Sequence, residues 1–175
     1  EDEAISNWRS KFEDAVESHL MSDVPLGVLL SGGIDSTAIA AVMRQKMSSQ
    51  FKSFSVAFSE QGANELPFAR MAAREFDTDH HEVRMTPHDY FQSIPKLIWH
   101  EDEPIAQSAS IPLYFVCKKA SEHVKVVLTG EGSDELLAGY GRYPRTTINL
   151  KLGRFYESVL PASLRKRIRR HFDTP

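Results

Sequence analysis

The sequence predicts an α/β fold, a parallel twisted sheet with helices on both faces in a Rossmann-like three-layer arrangement. Two observations predict it. Short hydrophobic runs rich in β-branched and aromatic residues alternate with longer stretches of helical periodicity, and that alternation requires right-handed crossovers between parallel strands. Two of the short runs then end in glycine-containing turns that lead directly into a helix. In open sheets of this kind, ligands sit beyond the carboxyl ends of the strands.

The elements follow in order. Ile5, Trp8, Phe12, Val16 and Leu20 recur at helical spacing and mark an amphipathic helix. "PLGVLL" reads as a short buried strand, "DSTAIAAVMRQKM" as a helix and "FKSFSVAF" as a second strand. "NELPFARMAAREF" predicts a helix with Asn64 as N-cap and Pro67 in its first turn, where the missing N–H costs nothing. "DHHEVRM" is a strand, and "HDYFQSIPKLIW" a helix with Pro95 as a kink point. After the polar loop "HEDEPIAQSAS" come a helix in "IPLYFVCKKASEH", a strand in "VKVVLTG" and a helix opening at "SDELLAGY". Strand signals stop after Pro144, and no internal repeat is present.

Composition sets the class. The 175 residues, 41% hydrophobic and 26% charged, suffice for one globular domain with a core. No window approaches the roughly 18 uninterrupted apolar residues of a spanning helix, and the first 20 residues are acidic rather than signal-like. A soluble, cytoplasmic protein without a membrane partner is expected. The net charge of −3 argues against a general affinity for nucleic acid. The single cysteine, Cys117, excludes an internal disulfide framework and is expected to be a small core residue. The lack of an initial methionine and the ending "HFDTP" suggest a piece of a longer protein.

The chemistry concentrates in the two glycine turns. In "GVLLSGGIDSTAIAAVM", Ser31, Gly32 and Gly33 follow the strand, and Asp35 and Ser36 open the helix. Glycines let the backbone approach a ligand and expose successive N–H groups, while the helix N-terminus adds its positive dipole end. The result is an anion cradle. It is neither a Walker A loop, since no lysine follows the second glycine, nor the dinucleotide fingerprint, since the third glycine is absent. A carboxylate beside a phosphate cradle requires a cation between them, which points to Mg²⁺. "LTGEGSDE", residues 128–135, repeats the pattern: Gly130 and Gly132 permit close approach, Glu131 offers a carboxylate, and Asp134 and Glu135 start a helix for which Ser133 is the expected N-cap. Asp35 and Asp134 are the natural pair to share a metal.

These residues carry a family resemblance. "SDVPLGVLLSGGIDS" resembles the pyrophosphate-binding "SGGxDS" loop of the ATP-pyrophosphatase (PP-loop) superfamily, and its Ser-Asp-Val-Pro lead-in narrows the match to the synthetase domain of glutamine-hydrolysing asparagine synthetases. "LTGEGSDELLAGYGRY" is similar to that family's "SGEGSDExxxGYxxY" segment, and "FKSFSVAFSE" to the strand that lines its adenine site. The resemblance implies an adenine nucleotide alpha hydrolase-like fold. It also implies a reaction in which ATP adenylates the side-chain carboxylate of aspartate, and ammonia resolves the acyl-adenylate into asparagine. Departing pyrophosphate accumulates negative charge, which a backbone cradle and a metal stabilise.

Position by position, the resemblance places Leu30 and Val56 at the adenosine. Thr129, where the family usually has serine, and Gly130 also touch the nucleotide. Ser31, Gly32, Gly33, Asp35 and Ser36 bind pyrophosphate, with Asp35 and Asp134 at Mg²⁺. Glu131 stands against the adenylate as the catalytic acid, positioning the amine or accepting its proton. The acceptor loop "HEDEPIAQSASIP" matches the family less closely, so another PP-loop ligase acting on a different carboxylate, or a non-catalytic nucleotide-binding module, remains an alternative. Residues 1–143 read as the synthetase core and 144–175 as a helical basic tail. The family's glutaminase domain and later helical part have no counterpart in the sequence, so little or no amide synthesis is expected from these residues alone.

Three features stand apart. His80 and His81 are adjacent, point to opposite faces of a strand and are expected to be solvated or capping rather than metal ligands. "EDEP" reads as a solvated loop. The tail "LPASLRKRIRRHF", with five cations in residues 165–170, predicts a basic amphipathic helix.

Overall fold

The computed structural model describes residues 1–59, 65–104, 107–161 and 164–165. The chain forms two compact units, Glu1–Gly130 and Glu131–Pro175. The first contains α1 (Asp2–His19), β1 (Leu26–Leu29), α2 (Ile34–Lys46), β2 (Lys52–Phe58), α3 (Leu66–Glu75), β3 (Asp79–Met85), α4 (Pro87–Glu101), α5 (Ser110–Ser121) and β4 (Val126–Leu128). The second contains α6 (Ser133–Leu137) and α7 (Arg142–Val159).

The four strands form one sheet in the order β3-β2-β1-β4, and every pairing is parallel. Leu29 lies opposite Phe54, Val28 opposite Leu128, and Phe54 opposite His81. Strand alternation sorts the side chains into two cores. On one face, Val28 and Leu30 join Val16 of α1, Ile39, Ala40, Val42 and Met43 of α2, and Ala69, Ala72 and Ala73 of α3. On the other, Phe54 packs with Val116, Ala120 and Val124, while Met85, Leu97 and Ile111 form a neighbouring cluster under α4 and α5. Helices therefore cover both faces, as the sequence predicts.

The layering has a functional consequence. The chain steps outward from β1 to β2 to β3 along one face, then returns through α4 and α5 to place β4 on the other side of β1. The strand order thus reverses between β1 and β4, and such a reversal opens a crevice beyond the carboxyl ends of those two strands. Both glycine turns follow these strands.

Local details depart from expectation at several points. The N-cap of α3 is Glu65, with Pro67 in the first turn, and Asn64 lies outside the described residues. Helix α4 runs from Pro87 to Glu101 as one element through Pro95, started by a capping box in which Thr86 accepts from the Asp89 N–H and the Asp89 carboxylate accepts from the Thr86 N–H. Cys117 is exposed rather than in the core. On α5 the buried positions are Ile111, Val116 and Ala120, and a residue directly after Val116 is rotated by about 100° away from that stripe. Desolvation still pushes the Cys117 thiol above its usual value, which disfavours the nucleophilic thiolate. The predicted basic helix falls largely in 166–175, outside the described residues.

Among the described residues, no helix is long and apolar enough to cross a membrane. The second unit differs in kind from the first. Neither α6 nor α7 has a buried residue, and Ile148, Leu152, Phe155 and Val159 recur at helical spacing while remaining more than half exposed.

Candidate active site

The first glycine turn begins where β1 ends. Leu30, only 1% exposed, donates its N–H to the Phe54 carbonyl at 2.8 Å, and its own carbonyl accepts the buried Ser55 hydroxyl. Gly32 then takes φ +85°, a conformation that L side chains rarely adopt. A Cβ at Gly32 would stand 2.5 Å from the Ala69 nitrogen and 2.7 Å from the Phe68 Cβ, so the start of α3 presses on this turn and admits only glycine. Gly33 is the N-cap of α2 and supplies no side-chain acceptor to the first-turn N–H groups.

Two serines brace the turn. The Ser31 N–H donates to the Ser36 oxygen at 3.3 Å, the two hydroxyls lie 3.1 Å apart, and the Gly33 N–H donates to Ser31 Oγ at 3.2 Å. The Ser36 hydroxyl donates to the Gly33 carbonyl at 3.3 Å and is buried. Ser36 therefore shapes the cradle from beneath, while Ser31 stands exposed at its surface. Asp35 is half-buried in the first turn of α2, and its carboxylate makes no hydrogen bond or ion pair with another described residue. A partly buried carboxylate in that condition suits a cation.

The second turn meets the first at Gly130. A Cβ there would come within 3.0 Å of the Asp35 Cβ and 3.2 Å of the Ser36 nitrogen, so glycine allows the chain leaving β4 to pass against the first turn of α2. Thr129 is half-buried just before it. Val56, half-buried on β2, packs into both clusters beneath α4 and α5 and forms an apolar wall. The structure thus gathers the predicted residues of the first unit around the carboxyl ends of β1, β2 and β4.

Glu131 and Asp134 belong to the second unit. Glu131 is exposed. Gly132, at φ +91°, is the N-cap of α6, and Ser133 is the first helical residue rather than the cap. Asp134 is half-buried with its carboxylate folded over Gly139, whose N–H donates to the Asp134 carbonyl at 3.0 Å. Here the sequence reading missed an anchor. The Tyr140 hydroxyl donates to Glu135 at 2.7 Å, and the Arg142 guanidinium lies 4.4 Å from the Tyr140 ring centroid. The carboxylate holds the phenol protonated, with its pKa pushed up to about 12.

Other candidates separate from this site. His80 and His81 do face opposite ways, yet they are packed rather than solvated or capping. His80 Nδ1 lies 2.7 Å from Ser53 Oγ, and His81 stacks on Phe54 and on His123 with centroids 5.3 and 4.1 Å apart. The residues of "EDEP" are exposed, and among the described residues no group of three His, Cys, Asp or Glu side chains is gathered for a metal. Grooves of about 600 and 350 Å³ run along α3, past Arg70 and Arg74. They lack the glycine turns' open backbone, and Arg70 is already committed to Glu82 through bonds of 2.5 and 2.6 Å.

A parallel sheet with two glycine turns meeting at its topological reversal defines a Rossmann-like α/β protein with a crevice at the carboxyl ends of its strands. Solved structures agree on the fold: an NH3-dependent NAD synthetase from Campylobacter jejuni superposes with a TM-score of 0.52 at 16% identity, covering 75% of this chain and 58% of that one. An NMN synthetase from Francisella tularensis gives 0.50 at 14% identity, covering 70% and 52%. The asparagine synthase family model matches residues 7–174, and the chain belongs to that family. Among its relatives are asparagine synthetase [glutamine-hydrolyzing] 1 of Bacillus subtilis, 43% identical over 86% of this chain and 24% of the relative, and asparagine synthetase B of Escherichia coli, 38% identical over 75% and 26%. The chain spans about a quarter of the length of these curated relatives.

Proposed function

We propose that this chain is the nucleotide-binding core of an ATP-dependent amide synthetase, with residues 1–143 as the synthetase core and 144–175 as a helical basic tail. The reaction is adenylation of the aspartate side-chain carboxylate with release of pyrophosphate. Ammonia, supplied from glutamine by a glutaminase domain, then displaces AMP to give asparagine. The observation that carries this reading is the contact of the two glycine turns, Gly130 against Asp35 and Ser36, at the strand-order reversal.

In this reading the adenosine lies against Leu30 and Val56, with Thr129 and Gly130 beside it. The phosphates meet the backbone of Ser31, Gly32 and Gly33 and the first turn of α2. The Gly33 N–H already points at the exposed Ser31 hydroxyl. A charged phosphate oxygen is a stronger acceptor than a neutral hydroxyl and exchanges into that position. Ser36, buried beneath and bonded to the Ser31 N–H, keeps the turn in shape while the exchange occurs. Asp35 in the first unit and Asp134 in the second are the proposed carboxylate donors to Mg²⁺, on their chemistry and the family resemblance. The ion supplies charge neutralisation for the departing pyrophosphate. Glu131 is the proposed acid that orients the incoming amine or takes its proton.

Calorimetry with ATP and Mg²⁺ on the wild-type chain and Asp35→Ala tests this. Wild-type binding that strengthens with Mg²⁺, and loses that dependence in the variant, is expected. Equal binding by both removes the metal assignment, and no binding by the wild type removes the nucleotide reading.

A further inference from the structure

We propose that Ser55 is a positioning residue for the nucleotide base: its buried hydroxyl ends the β1–β2 ladder at Leu30 and thereby keeps the Val56 N–H available to the ligand. The proposal rests on the reading of Leu30 and Val56 as adenine-site residues.

In a regular parallel ladder, a residue donates its N–H to one strand neighbour and accepts at its carbonyl from the N–H two positions further along that neighbour. Leu30 makes the first of these bonds, to the Phe54 carbonyl at 2.8 Å. The second would come from Val56. Among the main-chain bonds of the described residues, none joins the Val56 N–H to Leu30. The Leu30 carbonyl instead accepts the hydroxyl of Ser55, which is 3% exposed. Phe54 directs its carbonyl at β1, and backbone groups two residues apart on a strand face the same side, so the Val56 N–H faces the end of β1. That is the mouth of the crevice, where a purine ring nitrogen is a suitable acceptor.

Ser55 has no other evident reason to be polar. It lies on the face of β2 turned toward the core of α1, α2 and α3, where an aliphatic residue would add burial. Removing its hydroxyl leaves the Leu30 carbonyl buried and unsatisfied, a state proteins avoid. The readiest remedy is for Leu30 to accept the Val56 N–H, which extends the ladder by one bond and withdraws that donor from the base.

The test is calorimetry with ATP, AMP and pyrophosphate on the wild type, Ser55→Ala and Ser55→Thr, with urea unfolding of each. Ser55→Ala is expected to lose about tenfold in affinity for ATP and AMP, the worth of one buried hydrogen bond. Pyrophosphate, which has no base, should change by less than about twofold, and Ser55→Thr, which keeps the hydroxyl, should bind ATP like the wild type. The proposal is overturned if Ser55→Ala binds ATP normally, if it loses pyrophosphate as much as ATP, or if the threonine variant is as weak as the alanine. A lowered unfolding midpoint with unchanged ATP affinity also overturns it, since Ser55 would then act in packing alone. A wild type that binds neither ATP nor AMP breaks the nucleotide reading itself, and this inference with it.

Discussion

The first and second glycine turns each carry a glycine at positive φ, in unlike surroundings. Gly32 and Gly132 both sit at positive φ, +85° and +91°. Around Gly32 the space is filled, with α3 backbone within 2.5 Å of where a Cβ would be; around Gly132 nothing lies within 4 Å. The contrast extends to the units that carry them. The first buries aliphatic and aromatic side chains on both faces of a sheet, whereas α6 and α7 bury none. At Gly32 the fold presses on the turn and holds it in shape, whereas at Gly132 no packing adds to that residue's own dihedral preference. Precision at the phosphate cradle is therefore a property of the packed unit.

The largest expected effect tests the packing side of this contrast. Phe54 is fully buried at the centre of the sheet, while Phe155 on α7 is 66% exposed. Phe54→Ala should cost about 3–5 kcal/mol, enough to unfold many domains of this size. Phe155→Ala should stay within about 0.5 kcal/mol. Urea unfolding measures both, and similar costs would erase the distinction between the units.

The glycine pair gives the next largest effect. Alanine at Gly132 pays only for a left-handed residue, about 1–2 kcal/mol. Alanine at Gly32 pays the same and must also push α3 off the turn, so its cost should be larger and ATP binding should fall with it. Unfolding midpoints and ATP affinities of Gly32→Ala and Gly132→Ala decide the matter. Equal stability losses would mean that the contact with α3 yields without cost.

The same contrast explains what was legible in the sequence. β3 matches the run "DHHEVRM" to its end residues because turn and cap residues, Asp77 and Thr78 before it and Thr86 after it, close the run on both sides. Both glycine turns were readable because glycine before a helix has few other uses. The cap positions were not: Asn64 and Ser133 have the right chemistry for N-caps, but the chain enters α3 at Glu65 and α6 at Gly132, and tertiary contacts and φ decide such one-residue shifts. Cys117 was misplaced because cysteine is often buried, whereas the helical phase of α5, set by Val116 and Ala120, turns it outward. Ser55 gave no signal, since its role depends on which carbonyl ends the neighbouring strand.

The smallest expected effect concerns pH, and it should appear in the first unit alone. Among the described residues the second unit has no histidine, while the first packs His80 beside Ser53 and stacks His81 on His123. Burial pushes the pKa of His80 below its ordinary value against the opposing pull of Glu82, and desolvation moves His123 the same way, helped by His81. The folded chain therefore prefers neutral rings, and the unfolded chain takes up protons first as pH falls. Their contribution is complete above the unfolded value of about 6.5 and is lost as pH drops from there toward the lower folded values. Asp79 and Glu82 behave differently. Their pKa values are lowered chiefly by hydrogen bonds from Lys52 and Arg70, so their contribution persists until pH falls below about 4. Between about pH 7 and pH 5 the histidines alone should tilt the unfolding midpoint downward, and His80→Gln should flatten that slope. Hydrogen exchange should find the loss in the sheet and not in α7. A midpoint independent of pH over that interval would show that the buried rings accept protons in the folded state as readily as in the unfolded one.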